Sequence, residues 1–243
     1  MLNEMSRPYT LRKRAQKQEE TRARIIEAVV ALHQEVGPLH TTISAVAERA
    51  GVERLTVYRH FPDEPSLFAA CSSHYMAGHH PPNPATWMAI ADPRERTQTA
   101  LTALYSYYRE VAPMFATVLR DAPRIPALQP FVMPHYAYLE SVRDGLYEGF
   151  ARASDDTCLA GEREEGVDLD GEREERVDLD GERDGERDGE AEASQGLRMR
   201  TFLDHAIQFT TWQTLSRQEI DDNVMSSIMV DAVSGVARSC PDR

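Results

Sequence analysis

Apolar residues recur at helical spacing along most of the chain, and glycine or proline separates one such stretch from the next. From Glu19 to Val36, Ile25, Val29, Leu32 and Val36 share one face, with Ile26 and Val30 widening the stripe. Gly37-Pro38 stops it. Thr41 and Thr42 then offer hydroxyl caps to a short helix, Ile43 to Ala50, and Gly51 supplies a permissive turn. A second short helix runs from about Glu53 to His60 and ends at Phe61-Pro62. Pro65 to about Ala77 forms the next, with Leu67, Phe68, Cys71 and Tyr75 turned inward. His79 to Pro84 breaks the pattern and marks a domain boundary.

Beyond that break the pattern stays helical. Asp92-Pro93 opens a helix with Ala100, Leu101, Leu104, Tyr108 and Val111 on one face. Pro113 is expected to start a short helix to about Ala122, and a long one runs from about Pro134 to Ala153. Order resumes from Gly196 to about Arg217, followed by a last helix through Met225, Ile228, Met229, Ala232, Val233 and Val236. The expected fold is all-α, with an N-terminal three-helix domain and a C-terminal helical bundle. The boundaries are a flexible basic arm at 1–18, a helix-turn-helix domain at 19–78 and a second domain at 79–243.

The stretch Thr41 to Phe61 reads as a helix-turn-helix because its residue types sort by face. Val46, Ala47, Ala50, Val52 and Val57 turn inward where two helices cross, and Ala47 is small enough for close approach. Arg54, Leu55, Thr56, Tyr58, Arg59 and His60 are left for the outer surface. Guanidinium, hydroxyl and apolar groups in that mix suit phosphates and base edges. Arg12, Lys13, Arg14 and Lys17 form a basic cluster ahead of the first apolar stripe. That cluster reads either as a DNA-contacting arm or as a solvated charge run.

Charge sharpens this picture once it is localised. The chain of 243 residues carries −13 overall. Between Asp155 and Glu192 stand 18 acidic and 5 basic residues, which accounts for the whole imbalance. Met1 to Arg24 has 7 basic and 3 acidic residues. The acidic segment repeats as GEREEGVDLD, GEREERVDLD and GERDGERDGE, and such charge density with few apolar groups predicts disorder over 155–195. Its VDLDGE pieces lack the ligand spacing of a calcium loop. The segment reads as a linker or as a competitor for the basic surface.

Little else carries chemistry. There is no GxSxG, HExxH, CxxC or phosphate-binding glycine loop, so an enzyme is not expected. His79-His80 has no carboxylate or cysteine at ligand spacing, so no metal or cofactor is expected either. Cys71, Cys158 and Cys240 are odd in number and far apart, which fits a reducing cytoplasm. No apolar run reaches membrane length, and the polar, basic start shows no secretory signal.

Thr42-Ile43, Val46-Ala47, Ala50-Gly51-Val52, Thr56 to Phe61 and Leu67 together resemble the tetracycline-repressor (TetR) family of bacterial regulators over about residues 19 to 77. The later half is similar only in helix count and order. The resemblance implies a homodimer that binds a palindromic operator in double-stranded DNA and holds a small ligand. It implies phosphate contact by Thr42, with Thr41 beside it, base contact by Arg54, Leu55 and Thr56, and phosphate or base contact by Tyr58, Arg59 and His60. Many members have lysine just after the aromatic-proline pair. Here Asp63-Glu64-Pro65 follows, so the basic arm is left to compensate.

For an apolar or aromatic ligand the candidate contacts are Trp87, Tyr105, Tyr108, Met114, Phe115, Phe131, Met133, Tyr136, His205, Phe209 and Trp212, each of which also reads as plain core. The two late helices suit a four-helix dimer interface or packing within one chain. The expected function is a ligand-responsive repressor, with an activator or architectural DNA-binding protein as the alternative.

Overall fold

The computed structural model describes the backbone of residues 6–164 and 181–238 and the side chains of 11–153 and 193–236. Among the described residues there is no strand. Ten α-helices follow one another: α1 Ser6–Glu35, α2 Ile43–Ala50, α3 Arg54–His60, α4 Glu64–Gly78, α5 Ala85–Met88, α6 Pro93–Asp121, α7 Gln129–Glu164, α8 Gly181–Ile207, α9 Phe209–Ser216 and α10 Asp222–Arg238. Short 3-10 turns connect α1 to α2 and α6 to α7. No described helix is long and apolar enough to cross a membrane.

The chain divides into two compact units, one of Met1–Pro81 with Arg109–Tyr136 and one of Pro82–Tyr108 with Ala137–Arg243. The unit that holds the helix-turn-helix therefore reaches beyond residue 78. Its core is Ile25, Val29, Val46, Ala47, Val57, Phe61, Leu67 and Cys71, drawn from the first four helices and the α3–α4 junction. A second cluster joins Phe68 of α4 to Ala122, Ile125, Leu128 and Val132.

Residues 109–136 tie down the end of α1. Thr117 Oγ1 donates to the His33 carbonyl at 2.6 Å. Arg120 Nη2 donates to the Val36 carbonyl at 3.1 Å. Asp121, 2% exposed, accepts from the Leu39 N–H at 3.1 Å and from Arg120 Nε at 2.7 Å. Gly37, at φ 90° and ψ 161°, crosses this pair so closely that a methyl group there would overlap Arg120 Nη2 and Asp121 Oδ2. Only glycine adopts that backbone without strain.

The second unit is built on Leu101, Leu104, Leu139, Val142, Leu146, Leu203, Ile207 and Met225, all almost fully buried. Its expected helix from Gly196 to Arg217 is in fact split at Gln208, whose backbone is extended (ψ 140°). The split leaves three carbonyls of the last turn of α8 without helical donors. Hydroxyls fill the gap: Thr211 donates to His205 O at 2.6 Å, Tyr105 to Ala206 O at 2.8 Å and Tyr108 to Ile207 O at 2.5 Å.

Four other expectations are corrected. The arm at 1–18 is not flexible where it is described: α1 begins at Ser6, and Arg12, Lys13, Arg14 and Lys17 lie on it, exposed. No glycine or proline interrupts Tyr9 to Val36, and straight-chain residues with an i,i+4 bond from Gln16 to Glu20 (3.0 Å) sustain the helix. Pro113 lies inside α6 rather than at a start, and Pro134 lies inside α7. Disorder over 155–195 does not hold at its flanks, because α7 runs to Glu164 and α8 begins at Gly181. Glutamate and arginine are good helix formers even where nothing is buried. The centre of that expectation, 165–180, lies outside the described residues.

Candidate nucleic-acid interface

The turn between α2 and α3 is fixed from both ends. Thr42 caps α2, its Oγ1 accepting the Ala45 N–H at 3.2 Å. At the other end Gly51 is left-handed (φ 65°, ψ 43°), and the N–H groups of Gly51 and Val52 reach the carbonyls of Glu48 (3.2 Å) and Ala47 (3.0 Å). That pair of bonds closes the helix and packs Val52 against the core. Arg24 of α1 adds a third tie, its Nη1 donating to the Ala50 carbonyl at 3.0 Å. A cation at a helix C-terminus also meets the negative end of its dipole.

α3 then sorts its residues as the spacing predicts. Val57 is fully buried, and Phe61 just beyond the helix is 4% exposed. Arg54, Leu55, Tyr58 and Arg59 are exposed, Leu55 at 71% and Tyr58 at 46%, while Thr56 and His60 are half-buried. Arg22 of α1 lies over the Phe61 ring at 5.3 Å from its centroid and holds the far end of α3 down. Leu55 and Tyr58 have no packing reason to face water, so their exposure marks a contact surface.

Of the other candidates, Thr42 is exposed and Thr41 is half-buried, with its hydroxyl donating to the Gly37 carbonyl at 2.9 Å. Asp63 is a helix cap: its carboxylate accepts the Ser66 N–H at 2.8 Å, and Ser66 Oγ donates to the Asp63 carbonyl. These bonds hold the Asp63 carboxyl below its ordinary range. The acid that displaces the expected base therefore has a local structural reason.

Reading the sequence alone missed Arg22, Arg24 and Arg49. Arg49 forms a paired bridge to Glu35 at 2.6 and 2.7 Å. The available signal was their place on α1 and α2 beside the apolar stripes, where a long side chain spans to the neighbouring helix end.

The ligand candidates fall in both units. In the second, Trp87, Tyr105, Tyr108, Phe209 and Trp212 are buried, and Phe209 meets Tyr108 edge-on at 5.5 Å. The hydroxyls of Tyr105 and Tyr108 are committed to the α8 break, and burial pushes both phenols up in pKa. His205 is exposed rather than set in an apolar face. In the first unit Met114 and Phe115 are buried and Phe131 half-buried, whereas Met133 and Tyr136 are exposed. Among the described residues no group of three or more histidine, cysteine or acidic side chains is disposed to hold a metal.

Residues 25–71 match the family model of bacterial regulatory proteins, tetR family. This is a tetR-family domain. Its matched span runs from the apolar face of α1 to Cys71 of α4 and contains every tie described above except those from Arg22 and Arg24. No curated protein matches the sequence. A proposed regulator of fatty acid metabolism from Clostridium perfringens has TM-score 0.52 at 15% identity, over 90% of this chain and 100% of that one. A TetR-like transcriptional regulator from Rhodococcus sp. RHA1 has 0.49 at 14% identity, over 90% and 97%. At such identities the likeness is one of fold: an N-terminal helix-turn-helix followed by a helical C-terminal domain. The tetR-family domain and this fold together support a DNA-binding transcriptional regulator.

Proposed function

We propose that the protein is a transcriptional repressor that binds a palindromic operator as a homodimer and is released from it by an apolar or aromatic small molecule. The observation that carries the DNA half is the outward set Arg54, Leu55, Tyr58 and Arg59 on a helix anchored through Val57. Arginine is suited to guanine or phosphate, Leu55 to a thymine methyl and Tyr58 to phosphate. Thr42 and the exposed cations Arg12, Lys13, Arg14 and Lys17 add backbone contacts.

Dimerisation is supported by α8 and α10, which pack on each other yet leave Leu197 (68%), Phe202 (41%), Val224 (50%) and Ile228 (48%) exposed. Two such pairs meeting about a two-fold axis make a four-helix interface. A dimer sets two recognition helices to read half-sites about 34 Å apart. Ligand binding acts by favouring a conformation in which that spacing is lost.

The test is a gel shift with DNA flanking the protein's own gene, at low salt, beside the Arg54→Ala and Tyr58→Ala variants. A retarded complex weakened by either substitution supports the reading. Absence of binding, or variants that bind as wild type does, refutes the recognition-helix assignment. Mass measurement in solution checks the dimer.

A further inference from the structure

We propose that the second unit holds a site for a small carboxylate, formed by Arg96 and Trp87 beside Gly145 and Gly149 of α7. This rests on the ligand-responsive reading above and specifies the polar group of that ligand. Arg96 stands in the first turns of α6 and is only 8% exposed. Its Nε–H donates to the Ile90 carbonyl at 2.8 Å. The two terminal nitrogens of its guanidinium have no hydrogen-bond or ion-pair partner among the described residues. A Cβ at Gly149 would come within 2.7 Å of Nη1, so the fork is directed at bare backbone on α7.

Trp87 supplies the second observation independently. It is completely buried, and its Nε1–H has no partner. Its carbonyl accepts the Ile90 N–H at 3.0 Å, so the indole and the carbonyl that anchors Arg96 belong to one short turn. Met88 of the same turn occupies the space over Gly145, where a methyl group would overlap its Cε. Gly145 and Gly149 are one helical turn apart, so α7 gives this place no side chain of its own at either position.

Both orphaned groups are donors, and one is a cation. An indole N–H can only donate, and a guanidinium presents a planar fork. The missing partner is therefore an acceptor, and charge balance asks for an anion. Water satisfies an N–H but leaves the charge buried and uncompensated. A carboxylate matches the fork with two parallel bonds, and the Trp87 and Met88 side chains beside it favour an apolar body.

The probes are phenylacetate and octanoate beside their neutral amides, phenylacetamide and octanamide. They are applied to the full-length Trp212→Phe variant, which leaves Trp87 as the only indole. A carboxylate is expected to shift Trp87 emission and raise Tm, with its amide weaker by about tenfold or more. Arg96→Gln removes that preference while circular dichroism stays wild-type. Gly149→Val, which fills the space before the fork, does the same and serves if Arg96→Gln fails to fold. Amides as effective as carboxylates, carboxylates without effect, or an unchanged carboxylate response in both variants overturn the proposal. Operator release separates the two readings. Release by the amides alone sinks the carboxylate site and leaves the ligand-responsive regulator, whereas a wild-type protein that binds no operator removes that regulator instead.

Discussion

Replacing Gly37 with alanine tests whether residues 109–136 set the path of the chain into the helix-turn-helix. At φ 90° and ψ 161° the backbone lies in a region essentially closed to other residues, worth about 1–3 kcal/mol of strain. The added methyl also overlaps Arg120 Nη2 and Asp121 Oδ2. Asp121 is buried and holds the Leu39 N–H, so displacing it weakens a charged hydrogen bond worth about 1.5–3 kcal/mol. Alanine recovers about 0.4–1 kcal/mol by stiffening the unfolded chain. The net destabilisation is about 3 kcal/mol.

Gly51→Ala is the control. Gly51 is left-handed at φ 65°, but its added Cβ has open space, 3.7 Å from Arg24 Nη1, so about 1 kcal/mol is expected there. Urea unfolding followed by circular dichroism measures both, and amide exchange at Leu39 reports the bond to Asp121. If Gly37→Ala costs no more than Gly51→Ala, the Arg120–Asp121 pair is not a clamp and the reasoning fails.

Other outcomes follow from the same geometry. Arg54→Ala and Tyr58→Ala each weaken operator binding by about 1–3 kcal/mol with Tm unchanged, as read by gel shift and thermal melting. Arg24→Met costs about 1 kcal/mol of stability by orphaning the Ala50 carbonyl, measured by urea unfolding, and no loss would contradict the cap.

Acid sensitivity follows from two histidines. Burial holds His33 at about 4, with Asp121 working against it, and burial alone holds His135 at about 4. Both lie below the ordinary 6.5, so the unfolded chain binds more protons. Stability is therefore full above about pH 6.5 and falls as pH drops toward 4, on the order of 3 kcal/mol for each group. Unfolding at pH 7 and 4.5 checks the slope, and His33→Gln flattens it.

The helix-turn-helix was legible in the sequence because its residues answer to local rules. Threonine caps, glycine turns and an apolar face at 3.6-residue spacing need no knowledge of what lies elsewhere. Pro113 and Pro134 misled because proline is read as a helix start, whereas packing on both sides keeps α6 and α7 continuous through it. The break at Gln208 was invisible because its compensation comes from Tyr105 and Tyr108, about a hundred residues away. Arg96 escaped notice for a related reason: a lone arginine in a charged first turn looks solvated until the fold buries it. Asp121 was likewise silent, since nothing around it in sequence announces a bond to Leu39.

Cys71 gives the tetR-family domain an internal clock. Its thiol lies in the core at 4% exposure, 3.6 Å from His33 Nδ1, and burial pushes it up to about 12. A thiol that does not ionise in place reacts with a disulfide reagent only when the packing of α1 against α4 opens. With Cys158 and Cys240 replaced by serine, the labelling rate of this one sulfur counts openings of the DNA-binding unit. Operator that binds only the closed unit lengthens the interval between them, so occupancy of the DNA face can be timed from inside the core.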